Sequence, residues 1–423
     1  MPEQNGDKVG SEVTRKWAES DVLDVLSESA KNIGAGSPTD AGRRWRLPTE
    51  SAEPIVLAGG IPDMPTVPVS EFQDSLLSVL AEETEDAMNY GGWLGFEGLR
   101  EAVAKRQSEI EGLELSPDNF ILHNGSSGAL DNVCKAFVNP GDVVIVEGPS
   151  FSGTVRSMQG YMAEIVEVDI DKDGISVEGV RQAIVEATTA GKMVKFVYTI
   201  ADYHNPTGAT MSVDRRKALL ELCAEYNVLV LEDAAYTELY FDESPPPSLF
   251  SLGEGEGVIR LGSFSKIIAT GLRSGWVEAA PRYTDALARV RFDMGNNPLV
   301  QRAITRYVDS GALEPHVAKM REIYRDKCDA LANSLEEFCE PYVRFNRPSG
   351  GFFLWVECIG VSATELTETA AREGLMFPFG AFFYRDGADR DDTHIRLAFS
   401  NAPIDQLQQT GQRMRDVFQM IVD

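Results

Sequence analysis

Histidine and cysteine are both scarce in this 423-residue chain, with four of the first and five of the second. The histidines, His123, His204, His316 and His394, stand far apart, and no His or Cys cluster has metal-ligand spacing. That argues against a metalloenzyme. The cysteines, Cys134, Cys223, Cys328, Cys339 and Cys358, are odd in number and show no C-x-x-C pair. They read as reduced thiols in a cytoplasmic protein rather than as a disulfide framework. No run of about 18 apolar residues is present, which excludes a transmembrane helix. The polar start 1–10 lacks the basic-then-apolar order of a secretion signal. Positive charge is short as well: 39 Lys and Arg face 66 Asp and Glu, for a net charge of −27. Nucleic acids and anionic membranes call for clustered Lys and Arg, so neither is an expected partner.

What is present is ordinary globular composition, 43% hydrophobic and 25% charged, in a chain long enough for two or three domains. Residues 1–50 are polar and rich in turn formers. They read as an N-terminal arm, partly flexible, with a helix over 13–29. An apolar run at 55–58 ends in Gly59-Gly60-Ile61-Pro62. The spacing then predicts a helix over 70–80, capped by Ser70, with Leu76, Leu77 and Leu80 inward. A glycine-rich loop, Asn89-Tyr90-Gly91-Gly92-Trp93-Leu94-Gly95, leads into a helix over 98–109.

From 120 onward short apolar strands alternate with helices. Strands are predicted at 120–122, 143–146, 162–168, 193–199, 228–231, 258–262 and 276–279, with helices at 177–188 and 212–226 among those between them. This alternation defines an α/β fold: a mostly parallel, seven-stranded sheet flanked by helices. Long helical patterns follow at 282–310 and 315–338. Strands at 342–346, 352–357 and 394–399, with helices over 363–373 and 405–422, then form a smaller α+β domain. The expected division is 1–50 for the arm, 51–85 with 316–423 for the small domain, and 86–315 for the large one.

Ligands of such sheets gather at the carboxyl ends of the strands, and five polar segments fall there. Ser126 and Ser127, between Gly125 and Gly128, open a helix whose free N–H groups suit a phosphate, or simply serve as its cap. Asn205-Pro206-Thr207-Gly208 follows the 193–199 strand and taken alone is a turn initiator. Glu232-Asp233-Ala234-Ala235-Tyr236 ends the 228–231 strand, where a half-buried carboxylate needs a partner. Lys266, in Gly262-Ser263-Phe264-Ser265-Lys266, ends the next strand, and Arg273 follows in Gly271-Leu272-Arg273-Ser274-Gly275. A lysine in that setting is either a solvated turn residue or an amine made nucleophilic by its surroundings.

None of these segments is specific alone. In combination and order they resemble the fold-type I pyridoxal-phosphate enzymes, in particular class I/II aminotransferases of the aminoadipate and kynurenine branch. The resemblance spans about residues 55–420 and implies the aminotransferase fold type I. It implies that Lys266 forms a Schiff base with pyridoxal 5′-phosphate and moves a proton, and that Asp233 pairs with the ring nitrogen. It further implies that Asn205 and Tyr236 bind the phenolic oxygen, and that Ser126, Ser127, Ser263, Ser265 and Arg273 cup the phosphate. Phe151 would stack on the ring, where Tyr is common in the family. Arg396 would grip the substrate carboxylate in bidentate fashion, with Gly60 and Asn205 beside it. Tyr90 would reach the phosphate of a neighbouring subunit, which implies a homodimer with shared active sites.

The implied activity is transfer of an amino group from an L-amino acid to a 2-oxo acid by a ping-pong route. The same scaffold also supports β- or γ-replacement, lyase and oxidase outcomes, which form the alternative. Departures from the family pattern include Ala234-Ala235 before Tyr236, His204 before Asn205, and Gly91-Gly92-Trp93. They leave the donor and acceptor open. Trp93 and the run from Phe377 to Tyr384 are expected near the substrate entrance. A ligand-sensing regulator on this fold would carry a DNA-binding domain ahead of it, and the polar stretch 1–50 does not read as one.

Overall fold

The computed structural model of the chain describes residues 11–33, 51, 53–385, 387 and 390–422. Its strands follow the β-branched and aromatic runs. In chain order they are β1 (Ile55–Val56), β2 (Phe120–His123), β3 (Val143–Gly148), β4 (Glu164–Asp171), β5 (Gly174–Ile175), β6 (Val194–Thr199), β7 (Leu229–Asp233), β8 (Val258–Ser263), β9 (Gly275–Glu278), β10 (Val343–Phe345), β11 (Phe353–Cys358), β12 (Leu375–Met376) and β13 (His394–Ala398).

The main sheet has eight strands in the order β2-β9-β8-β7-β6-β3-β4-β5, one more than the sequence predicts. The extra strand is the two-residue β5, which folds back antiparallel on β4 at Ile170 and Asp171. Strands β4, β3, β6, β7 and β8 run parallel, and β9 is antiparallel to both β8 and β2. β3 and β8 are buried along their whole length, as covering helices on both faces require. Fully burying each Val or Ile of β3 contributes about 1.5–3 kcal/mol. A smaller antiparallel sheet, β10-β11-β13, and the parallel pair β1-β12 lie apart from the main sheet. The helix Ile404–Val422 packs on the long helix Leu313–Cys339.

Four local expectations are corrected. The predicted 13–29 helix breaks into Ser11–Glu19, a 3₁₀ turn Val22–Val25 and Glu28–Ile33, because the Asp21 carboxylate accepts from Leu23 N and opens a new turn. Glu28–Ile33 lies against the helix Ser152–Gly160, where the Ser29 hydroxyl donates to the Gly160 carbonyl. The predicted 70–80 helix is Val69–Glu82, starting after Pro68, so Ser70 sits inside its first turn and is not its cap. Val79 is its buried residue, while Leu77 is 55% and Leu80 37% exposed. The predicted 282–310 helix is two helices, Pro281–Val290 and Pro298–Asp309. At Arg291 the chain turns extended, and the buried guanidinium donates to the Leu122 and Trp93 carbonyls instead of leaving them open. The expected first ten arm residues fall outside the described residues. Among the described residues, no helix is long and apolar enough to cross a membrane.

Candidate active site

The carboxyl ends of the parallel strands converge. β8 delivers Lys266, β7 ends on Asp233, and the loop after β6 carries Asn205. Gly262 is required inside β8, since a Cβ there would lie 2.0 Å from the Trp276 ring on β9. The following turn is fixed by Ser263 Oγ, which accepts from Ser265 N at 3.0 Å. Arg273 takes a left-handed conformation (φ 46°) that aims its guanidinium back across the turn. Its Nη2 donates to Asn124 O at 2.9 Å, just ahead of the helix Gly125–Phe137. A Cβ on Gly125 would stand 2.8 Å from that nitrogen, so only glycine admits it. Ser126 is half-buried and Ser127 exposed at the same helix start, beside N–H groups that have no partner within the helix.

Lys266 Nζ donates to the Gly60 carbonyl at 2.6 Å and lies 5.8 Å from the centre of the Tyr236 ring. Burial lowers its pKa to about 8; Asp233 opposes the shift, and Arg396 and Arg273 add to it. Gly60 is itself close-packed, because a Cβ there would meet the Phe353 ring at 2.5 Å. Asp233 is held above the usual carboxylate range by burial, against hydrogen bonds that favour its charge. Tyr198 Oη donates to its Oδ2 at 2.8 Å and Ala235 N to its Oδ1 at 3.1 Å.

Asn205 follows Glu147 and His204 in a buried arrangement. His204 Nε2 lies 3.0 Å from Glu147 Oε2, and Glu147 also accepts from Thr199 Oγ1 at 2.6 Å and Ile200 N at 2.9 Å. The Asn205–Pro206 bond is cis. Asn205 Oδ1 accepts from Arg396 Nη1 at 2.8 Å, and Arg396 Nη2 donates to Ala58 O at 2.5 Å. The Arg396 guanidinium lies 4.3 Å from the Phe353 ring centre and 4.7 Å from that of Phe383. Burial lowers its pKa to about 10, with Tyr236 opposing. Burial raises the Tyr236 hydroxyl, against the Arg396 charge and a hydrogen bond with Asn205.

The structure therefore brings together Lys266, Asp233, Tyr236, Asn205, Arg396, Gly60, Arg273, Ser263 and Ser265. Phe151 begins the Ser152–Gly160 helix and is 39% exposed. Tyr90 is 78% exposed, and within one chain no hydrogen bond or ring contact among the described residues joins it to Lys266. Trp93, 47% exposed, packs on Phe292 with ring centres 6.0 Å apart. The 377–384 run divides: Phe377 and Phe383 are core, whereas Phe379 and Phe382 are half-buried and pack on each other. Tyr198, Thr154 and Glu147 are site neighbours that the sequence reading missed. The one available signal was a polar residue near the end of an otherwise apolar strand.

Pyridoxal phosphate presents an aldehyde, a basic ring nitrogen and a phosphate. The donor set matches all three: a buried amine with a lowered pKa, a buried carboxylate, and a guanidinium over a helix start with a glycine cradle. Fold and site define a fold-type I pyridoxal-phosphate enzyme.

Comparison with known proteins narrows the class. The family "Aminotransferase class I and II" matches residues 53–411. Aromatic-amino-acid aminotransferase 1 of Thermococcus litoralis is 34% identical over 87% of this chain and 88% of its own. The 2-aminoadipate transaminase of Thermus thermophilus is 30% identical over 82% of this chain and 85% of its own. The crystal structure of Pyrococcus horikoshii kynurenine aminotransferase superposes with a TM-score of 0.88 at 32% identity, covering 96% of this chain and 99% of that one. The chain belongs to the class I and II aminotransferases and is a pyridoxal-phosphate-dependent transaminase. Replacement, lyase and oxidase outcomes are not favoured.

Proposed function

We propose that Lys266 is the residue that holds pyridoxal phosphate covalently and carries the proton in transamination between an L-amino acid and a 2-oxo acid. The observation that carries this is the placement of its amine: buried, with a pKa brought down to about 8, and facing Asp233, Tyr236 and Arg396. When bound, the cofactor supplies a carbonyl that condenses with amines and a protonated ring that draws electrons from the substrate Cα.

The chain's own groups do the rest. Arg396 binds the substrate carboxylate, with its orientation fixed by Asn205 and by the flanking Phe353 and Phe383 rings. The Gly60 carbonyl, which accepts a hydrogen bond from the Lys266 amine, would orient the free amine during the half-reactions. Lys266 in its neutral form would accept the proton from the substrate Cα and return it at C4′ of the cofactor, on the far side of the shared nitrogen. Asp233, buried and accepting hydrogen bonds from Tyr198 and Ala235, would hold a proton at the ring nitrogen. Tyr236 and Asn205 bind the phenolic oxygen. Ser126, Ser127, Ser263, Ser265 and Arg273 bind the phosphate, and Phe151 covers the ring.

The division into a large body over 86–315 and a smaller one over 51–85 and 316–423 fits this reading. Lys266, Asp233 and Arg273 come from the first, and Gly60 and Arg396 from the second. The high exposure of Tyr90 supports a homodimer in which it completes the partner's phosphate site. The five cysteines, all buried and unpaired, support a cytoplasmic setting. The named relatives make aromatic amino acids and 2-aminoadipate the first donors to screen.

The test is covalent attachment. Borohydride reduction of the holoenzyme followed by peptide mass spectrometry is expected to place the cofactor mass on Lys266. Lys266→Ala should carry none and lose transamination by several orders of magnitude. Cofactor mass on another lysine would overturn the assignment.

A further inference from the structure

Asp233 does not hold its position alone. Its Oδ2 accepts from Tyr198 at 2.8 Å, and Tyr198 Oη lies 3.1 Å from Thr154 Oγ1. Tyr198 is fully buried on β6, two strands along the sheet order from β8, and Thr154 is buried on the Ser152–Gly160 helix. A tyrosine hydroxyl carries one proton. Since Tyr198 gives it to the carboxylate, the bond with Thr154 runs the other way, from Thr154 to the Tyr198 oxygen. The protons are thus ordered in one direction, from helix to strand to carboxylate.

We propose that Thr154 and Tyr198 form a two-hydroxyl relay that positions Asp233 and keeps it ionised toward the ring nitrogen. This rests on the reading that Asp233 faces that nitrogen. Without donors, a carboxylate in this setting would take up a proton, since burial is the largest influence on it. The titratable groups facing Asp233 are Lys266, Glu147, Tyr198 and Tyr236. Lys266 favours its charge electrostatically and Glu147 opposes it. Lys266 is also the amine that condenses with cofactor, so its charge is not a dependable partner when the site is loaded. The Tyr198 hydroxyl remains a donor throughout, because burial and the Asp233 charge hold its own ionisation far above the normal range. Tyr198 and Thr154 are positioning residues: they act through Asp233.

The measurement is the pyridoxal-phosphate dissociation constant as a function of pH, by fluorescence titration of cofactor-free protein. Tyr198→Phe keeps the buried ring and removes the donor. It should weaken binding at neutral pH by about tenfold or more, the scale of a hydrogen bond to a charged group. Affinity should also be lost at a higher pH as the solution is acidified, because Asp233 protonates sooner. Thr154→Val, near-isosteric, should shift the profile in the same direction by less. With 1-deazapyridoxal phosphate, which has no ring nitrogen, the Tyr198→Phe penalty should nearly vanish; a merely structural defect would persist. An unchanged affinity and pH profile in Tyr198→Phe, beside a large loss in Asp233→Ala, overturns the relay. If Asp233→Ala itself binds as the wild type does, the reading of Asp233 fails instead. Should Tyr198→Phe not fold, Thr154→Val decides: a profile identical to wild type overturns the proposal.

Discussion

At the scale of single residues, Lys266 shows how burial sets chemistry. An ordinary lysine amine is almost wholly protonated at neutral pH and attacks nothing. Desolvation and the two nearby arginines bring this one to about 8, with Asp233 pulling the other way. The neutral form is the nucleophile, so reconstitution of cofactor-free protein should accelerate as pH rises through about 8 and then level off. Stopped-flow absorbance at several pH values checks this. A rate still climbing near the usual lysine value would show that the amine is solvated. Lys266 and Arg273 were legible in sequence because they share one short motif after one strand. The Lys266–Gly60 contact was not, since the partners stand 206 positions apart and the bond goes to a backbone carbonyl that any residue possesses.

At the scale of elements, strands β7, β8 and β9 carry a buried charge cluster behind the site. Arg260 Nη1 lies 3.0 Å from Glu111 and 3.1 Å from Glu278, and its Nε lies 3.5 Å from Glu232. Arg216, also buried, pairs with Asp202. Carboxylates outnumber guanidiniums, and among the described residues Glu278 Oε1 has no hydrogen-bond partner. Burial raises Glu278 from 4.5 to about 7, with Arg260 opposing. Between those two values the folded state binds more protons than the unfolded one, so this group's contribution to stability falls as pH rises through that window. Glu278→Gln should flatten that part of the profile of thermal unfolding against pH, while leaving the Arg260–Glu111 pair in place. A slope identical to wild type would show that Glu278 is ionised throughout. Element positions here were readable from apolar runs. The cluster was not, because Arg260 and Glu278 look like solvent-facing residues on half-buried strands until both faces of the sheet are seen to be covered.

At the scale of the whole molecule, exposed apolar side chains gather on the segment from Val69 to Trp93, with Leu77, Met88 and Tyr90 among them, and Phe292 lies beside Trp93. The helix Val69–Glu82 packs on Pro298–Asp309; within it Val79 is buried and Leu77 is left exposed. The proposed shared-site homodimer would cover that surface, and it predicts complementation. Tyr90→Ala and Lys266→Ala proteins, mixed under conditions that exchange subunits, should form heterodimers with one intact site. Their activity should exceed that of either variant alone; simple averaging of the two activities would place Tyr90 outside the partner's site.

The sequence by itself determined most strands and helices and the polar segments at strand ends, because each of these rests on a local pattern: apolar periodicity, a turn former, or a short motif; the cofactor followed from the family resemblance that those motifs carry together. Asp233, Asn205 and Lys266 were found for that reason. Tertiary structure alone decided what each of them faces. It added β5 to the sheet, split the 282–310 helix where Arg291 turns inward to cap two carbonyls, and set Tyr198 and Thr154 behind Asp233. Those outcomes depend on contacts between residues far apart in the chain, 35 positions for Tyr198 and Asp233 and 169 for Arg291 and Leu122, and on which faces of the sheet lose water. No window of sequence contains both partners of such a contact, so the chemistry around a named residue emerges only when the strands lie side by side.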